Sequence, residues 1–225
     1  MKTRAILFDL DGTLIDALPD LVEGVNALMR RYELDELSRE QVSEFIGKGA
    51  RHLIERSFAA RGTILGAIEL DAMVEEYVAV MLTNDGAHTR VFDGVSEAID
   101  CLRAQGIRVA LVTNKVRAMT ERVIERLGCA HWFDTVVCGD DTSCPKPAPD
   151  MLWLACRNLG VAASESVMVG DSRNDALAAR AAGMEVYLVS TGYNEGEPID
   201  RWAQAEGFSA PFDSICSVVT ELLEM

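Results

Sequence analysis

Short runs of apolar and β-branched residues alternate along this chain with stretches of helical period. Ala5 to Phe8, Val109 to Val112, Val136 to Cys138, Val167 to Val169 and Val186 to Val189 read as five strands. Each is apolar at consecutive rather than alternate positions, so both faces are predicted to be covered, as in a parallel sheet wound by crossover helices. The helical stretches Gly94 to Gln105, Val116 to Leu127 and Asp175 to Ala182 run into Gly106, Gly128 and Gly183, where a residue just past a helix end belongs.

Between the first two strands lies an insertion, about Asp16 to His88, with helical periodicity and no strong strand. Leu18, Leu21, Val22, Val25, Leu28 and Met29 form one apolar stripe, behind a Pro19 suited to a first turn. Leu70, Met73, Val74, Tyr77, Val78 and Met81 form another, and Ser38 with Gln41 reads as a capping box. The pattern therefore predicts a doubly wound α/β fold with a five-stranded, Rossmann-like parallel sheet, built from residues 1–15 and 89–225. Residues 16–88 are predicted to form an α-helical cap over the carboxyl ends of the strands, where open α/β sheets bind ligands. Its tethers, near Asp16–Ala17 and Gly86 to Val91, are the expected hinges.

Composition narrows the function. The 225 residues carry a formal net charge of -15, which argues against nucleic acid, since phosphate-backbone binding needs a basic face. No apolar run approaches the length of a membrane span, and the start, Met1-Lys2-Thr3-Arg4 leading to Asp9, does not read as a signal peptide. The six cysteines lack paired spacing, so they are expected to be reduced and the protein cytoplasmic. His52, His88 and His131 are scattered and suggest no site.

Candidate chemistry sits where strands end. Phe8-Asp9-Leu10-Asp11-Gly12-Thr13 places two carboxylates side by side, and two adjacent anions call for a hard cation such as magnesium. Val112-Thr113-Asn114-Lys115 puts a hydroxyl and an amide on the same rim. Ser143-Cys144-Pro145-Lys146-Pro147-Ala148-Pro149 holds one lysine between stiffening prolines. Gly170-Asp171-Ser172-Arg173-Asn174-Asp175 brings two further acids to the same edge, one more than helix capping explains.

These four segments, in this order and each after a strand, resemble the four motifs of the haloacid dehalogenase superfamily. The resemblance implies a nucleophile and metal ligand at Asp9, a general acid and base at Asp11, and phosphoryl binding by Thr113 and Lys146. It implies metal ligation by Asp171 with Asp175 in support, the Asp11 carbonyl completing the set, and Mg2+ as cofactor. The expected reaction is hydrolysis of a small anionic phosphate ester through an aspartyl phosphate.

The insertion position, with Ile15-Asp16-Ala17-Leu18-Pro19-Asp20, Phe45-Ile46-Gly47-Lys48-Gly49-Ala50 and Thr191-Gly192-Tyr193-Asn194-Glu195-Gly196, resembles the phosphoglycolate phosphatase-like subgroup. That likeness implies 2-phosphoglycolate as substrate, with Gly47, Lys48, Thr113, Asn114 and Lys146 binding it and Lys48 meeting its carboxylate. Ala17 and Ala148 depart from residues common in that subgroup, serine and histidine. Another phosphatase, a pyrophosphatase or a β-phosphoglucomutase-like mutase shares the same core pattern. A non-enzymatic phospho-switch resembling response regulators is the alternative from another class. Either a monomer or a homodimer is compatible with the sequence.

Overall fold

The computed structural model describes residues 3–84 and 86–224. Five parallel strands form the central sheet: β1 (Ala5–Phe8), β4 (Arg108–Val112), β5 (Thr135–Val137), β6 (Ser166–Gly170) and β7 (Glu185–Leu188), in the order β5-β4-β1-β6-β7. The most apolar run, β1, lies centrally, with Ala5 to Phe8 paired to Arg108 to Leu111 on one side and to Ser166 to Val169 on the other.

Alternation across the pleat explains why β1 is apolar at every position. Ile6 and Phe8 belong to one buried cluster, Ala5 and Leu7 to another on the opposite face. Helices α5 (Val95–Ala104), α6 (Arg117–Arg126) and α10 (Ile215–Glu224) contribute to the first cluster, and α7 (Asp150–Leu159) and α8 (Arg173–Ala182) to the second. Helix α9 (Ile199–Glu206) seats Trp202 in a small third cluster beside Ala176 of α8. Among the described residues no helix is long and apolar enough to cross a membrane.

The insertion contains α1 (Leu18–Arg31), α2 (Arg39–Ser43), α3 (Gly49–Ala59) and α4 (Ala67–Thr83). The capping box at α2 is formed: Gln41 N donates to Ser38 Oγ at 3.2 Å and Ser38 N to Gln41 Oε1 at 3.1 Å. Two features differ from the periodicity reading. The tethers pair as a two-residue antiparallel ribbon, β2 (Ile15–Asp16) with β3 (Arg90–Val91), so one strand residue lies just inside the stretch read as having no strong strand. Elements this short leave no periodic signature. The tethers are also tied by buried Asp20, whose carboxylate accepts from the backbone N–H of His88 at 3.1 Å and of Thr89 at 2.6 Å.

Helix α8 begins at Arg173, ahead of the Asp175 expected to open it. Ser172 is its N-cap, and Asp175 reaches back to accept from Ser172 N at 3.1 Å and Ser172 Oγ at 2.7 Å. Asp175 is thus the third helical residue of a capping box, which extends the helix one half-turn further toward the site.

Candidate active site

The carboxyl ends of β1, β4 and β6 converge on one pocket of charge. Lys146, almost wholly buried, donates from Nζ to Asp9 Oδ1 at 2.8 Å, Asp175 Oδ1 at 2.6 Å and the Val112 carbonyl at 2.7 Å. A lysine ammonium has three donors, so this one is saturated. Its backbone is fixed as well, because Lys146 N donates to Asn114 Oδ1 at 3.0 Å while Asn114 Nδ2 donates to the Lys146 carbonyl at 2.8 Å.

Asp171 faces the same centre from β6. Its Oδ1 accepts from Thr13 Oγ1 at 2.6 Å and its Oδ2 from the Tyr193 backbone N–H at 2.7 Å. The approach leaves no room for a side chain at Gly12. A Cβ there would lie 2.6 Å from Asp171 Oδ2, and the backbone already sits at φ +91°.

Asp9, Asp171 and Asp175 each offer an oxygen within 4.8 Å of the others, so this acidic group is able to hold a metal ion. The chemistry of the donor set fits a divalent cation. Three carboxylates against the single ammonium of Lys146 leave two negative charges in a buried space, all on hard oxygen donors.

The electrostatics show the same imbalance. Burial pushes the Asp9 carboxyl up to about 6, against the pull of Lys146 and with the help of Asp175. Burial, followed by the charges of Asp9 and Asp175, holds Asp171 well above the usual carboxylate range. Burial opposes the charge on Lys146, but Asp175 and Asp9 more than offset it and raise its pKa.

A carboxyl raised in the folded state contributes stability below its unfolded value, near 4, that is lost as pH rises through the folded value. For Asp9 that window ends at about 6. A divalent cation competes with protons for these oxygens. Magnesium is therefore expected to raise the melting temperature by several degrees at about pH 7.5 and by far less at about pH 5. Calorimetry at both pH values checks this, and equal increments would contradict it.

Asp11 lies on the rim in a different environment. Both its oxygens accept from Lys115 Nζ, at 2.9 and 2.8 Å, and Lys115 N in turn donates to Thr113 Oγ1 at 3.2 Å. The pair lines a cavity of about 50 Å³ under the insertion helices. Asp9, Asp11, Gly47, Thr113, Asn114 and Lys115 form its polar side. Tyr77 of α4 faces it from above among apolar residues of α1, α3 and α6.

The other expected residues are placed as follows. Gly47 meets the site through its backbone, its carbonyl accepting from Asn114 Nδ2 at 2.9 Å. The amide of Asn114 is thus engaged on three backbone groups and ties the insertion to the Lys146 loop. Lys48 donates to Glu195 Oε2 at 2.8 Å, outside the set of residues lining the cavity. The stretch from Thr191 to Gly196 serves as a brace: Thr191 Oγ1 donates to the Gly12 carbonyl at 2.7 Å, and Asn174 Nδ2 to Glu195 Oε1 at 3.2 Å.

Sequence reasoning passed over Lys115, Tyr77 and Thr13. Lys115 directly follows the two residues singled out in its segment, and a second cation beside two acids was the available signal. Tyr77 was absorbed into an apolar stripe, although a hydroxyl on a fully buried position is itself a signal.

A doubly wound sheet with acids gathered from the ends of β1 and β6, a lysine after β5 and a helical insertion after β1 defines a hydrolase of the phosphoryl-transfer type. The family model for haloacid dehalogenase-like hydrolases matches residues 6–189, and the chain belongs to that family. It is 38% identical over 202 residues to the phosphoglycolate phosphatase of Nitrosospira multiformis, covering 88% of each chain. Identity to the phosphoglycolate phosphatase of Caulobacter vibrioides is 37% over 200 residues, 89% of this chain and 84% of that one. The crystal structure of a predicted phosphoglycolate phosphatase from Haemophilus somnus superposes with a TM-score of 0.88 at 29% identity, covering 98% of both chains. The chain is accordingly an enzyme, a phosphoric monoester hydrolase, and the phospho-switch alternative is set aside.

Proposed function

We propose that this enzyme hydrolyses 2-phosphoglycolate to glycolate and phosphate, using Mg2+ and a covalent aspartyl phosphate on Asp9. The observation that carries the reading is the Asp9 carboxylate, held at 2.8 Å by Lys146 and within metal-bridging reach of Asp171. Asp9, Asp171 and the backbone near Asp11 would hold the magnesium, with Asp175 supporting through Lys146. When bound, the ion supplies the positive charge that lets a dianion approach an acidic centre.

The protein groups divide the remaining work. Asp9 attacks phosphorus with the oxygen not held by Lys146. Thr113 Oγ1, just past the end of β4, orients the phosphoryl oxygens, and the charge of Lys146 Nζ, from the loop after β5, neutralises them. Asp11, two residues beyond the nucleophile, delivers a proton to the departing alkoxide and then takes one from the water that hydrolyses the acyl phosphate. Such proton transfer is worth about 10² to 10⁴ in rate. Residues 16–88 act as a cap that excludes bulk water from residues 1–15 and 89–225 below, the small cavity favouring a small leaving group. The six cysteines are all free thiols, in keeping with a cytoplasmic enzyme.

Phosphate release from a panel of phosphomonoesters, with magnesium and with excess chelator, tests the reading. 2-Phosphoglycolate is expected to give the highest kcat/KM, and chelation to remove at least about 99% of the rate. A wide preference for a hexose phosphate would refute the substrate while leaving the hydrolase class standing.

A further inference from the structure

The cavity contains one buried polar atom with no partner. Tyr77 is 1% exposed, and its hydroxyl makes no hydrogen bond. A buried hydroxyl left without a partner is unfavourable, so its presence among Leu21, Leu53 and Met119 asks for a ligand atom. Burial, then the charge of nearby Asp11, raises its pKa, so the phenol stays protonated and acts as a donor. Among the described residues the other donor on the cavity wall with charge to offer is Lys115, whose side chain is 7% exposed and whose Nζ donates to both oxygens of Asp11.

Both donors line the same cavity as Thr113 and Asn114, beneath the insertion helices. They suit an acceptor that is compact and anionic. The apolar walls formed by Ile46, Ala50 and Val116 offer nothing to a polyhydroxylated leaving group. We infer that Lys115 and Tyr77 form the specificity subsite for a carboxylate on the leaving alcohol, Lys115 exchanging Asp11 for the substrate carboxylate as Tyr77 donates to its second oxygen. Resting on the phosphatase reading above, this assigns to Lys115 the role that the sequence pattern suggested for Lys48, whose ammonium is held by Glu195. It also ties the freeing of Asp11 to the arrival of a substrate with the right far end.

The discriminating quantity is the ratio of kcat/KM for 2-phosphoglycolate to that for 2-hydroxyethyl phosphate, which has similar length and a neutral end. Wild type is expected to show a ratio of about 100 or more, a charge-assisted pair of hydrogen bonds being absent from the neutral ester. Tyr77→Phe is expected to lower that ratio about tenfold, and Lys115→Met about a hundredfold, with Lys115→Arg recovering part of it.

Tyr77→Phe is the safer arm because it removes an unsatisfied hydroxyl without changing the packing. Its melting temperature is expected to equal or exceed that of wild type, an outcome a purely structural hydroxyl would not give. The inference is overturned if folded Tyr77→Phe and Lys115→Met keep the wild-type ratio, or if wild type itself does not distinguish the two esters. Should 2-phosphoglycolate prove a poor substrate while 3-phosphoglycerate is a good one, with a preference that depends on Lys115, the proposed substrate falls and the carboxylate subsite stands.

Discussion

Asp9→Asn is expected to leave a folded protein with no measurable phosphate release, a loss of roughly 10⁴-fold or more in kcat. The substitution preserves shape, and its amide oxygen can still accept from Lys146, which sits 2.8 Å from Asp9 Oδ1. It lacks the anionic oxygen that the proposed aspartyl phosphate requires. The formal charge of the cluster drops by one, so magnesium binding should weaken in parallel, which a metal titration followed by calorimetry would register. Stability moves the other way. Burial and Asp175 hold Asp9 up at about 6, so above that pH its ionised form opposes folding, and the asparagine removes that opposition. At about pH 7.5 without metal the variant is expected to melt no lower than wild type. Retained turnover would transfer the nucleophile's role to another residue and dismantle the mechanism.

The legible parts of this molecule were those written in local chemistry. Continuous apolar runs announced β1, β4 and β6 because both faces of each are buried. Ser38 and Gln41 announced a cap because the interacting groups are three residues apart. Asp9, Asp171 and Asp175 were visible as acids at strand ends, and the fold gathers them within one metal's reach.

What stayed hidden depends on pairing across distance. Nothing near Lys115 in sequence says that its ammonium will lie on Asp11, 104 positions away. Nothing near Lys48 says that Glu195, 147 positions away, will hold it. Asn114 looked like a substrate ligand at the end of a strand, yet three backbone groups use its amide to lock the insertion to the Lys146 loop. Periodicity also treats Tyr77 as one more member of a stripe, because a helical wheel records which face a residue occupies and not whether its hydroxyl finds a partner.

Lys146→Met should produce the other large effect, and a different kind from loss of the nucleophile. Asp175, wholly buried, has its Oδ1 on this ammonium at 2.6 Å, and Asp9 has its own at 2.8 Å. Removing one partner of a buried ion pair typically destabilises by about 3–5 kcal/mol. In a chain of this size that corresponds to a fall of roughly 10 °C or more in melting temperature. The Val112 carbonyl loses its donor as well. Magnesium should recover part of the stability, since it also answers the charge of Asp9 and Asp171. It should not recover turnover, because the cation proposed to neutralise the phosphoryl oxygens is gone, and kcat is expected to fall by about 10³-fold or more. Arginine is not expected to substitute, since the Nζ position is defined by three acceptors within 2.8 Å in a space a planar guanidinium would overfill. A methionine variant whose activity returns fully with added magnesium would mean that Lys146 serves only to neutralise Asp175, and that phosphoryl binding rests on Thr113 and the metal alone.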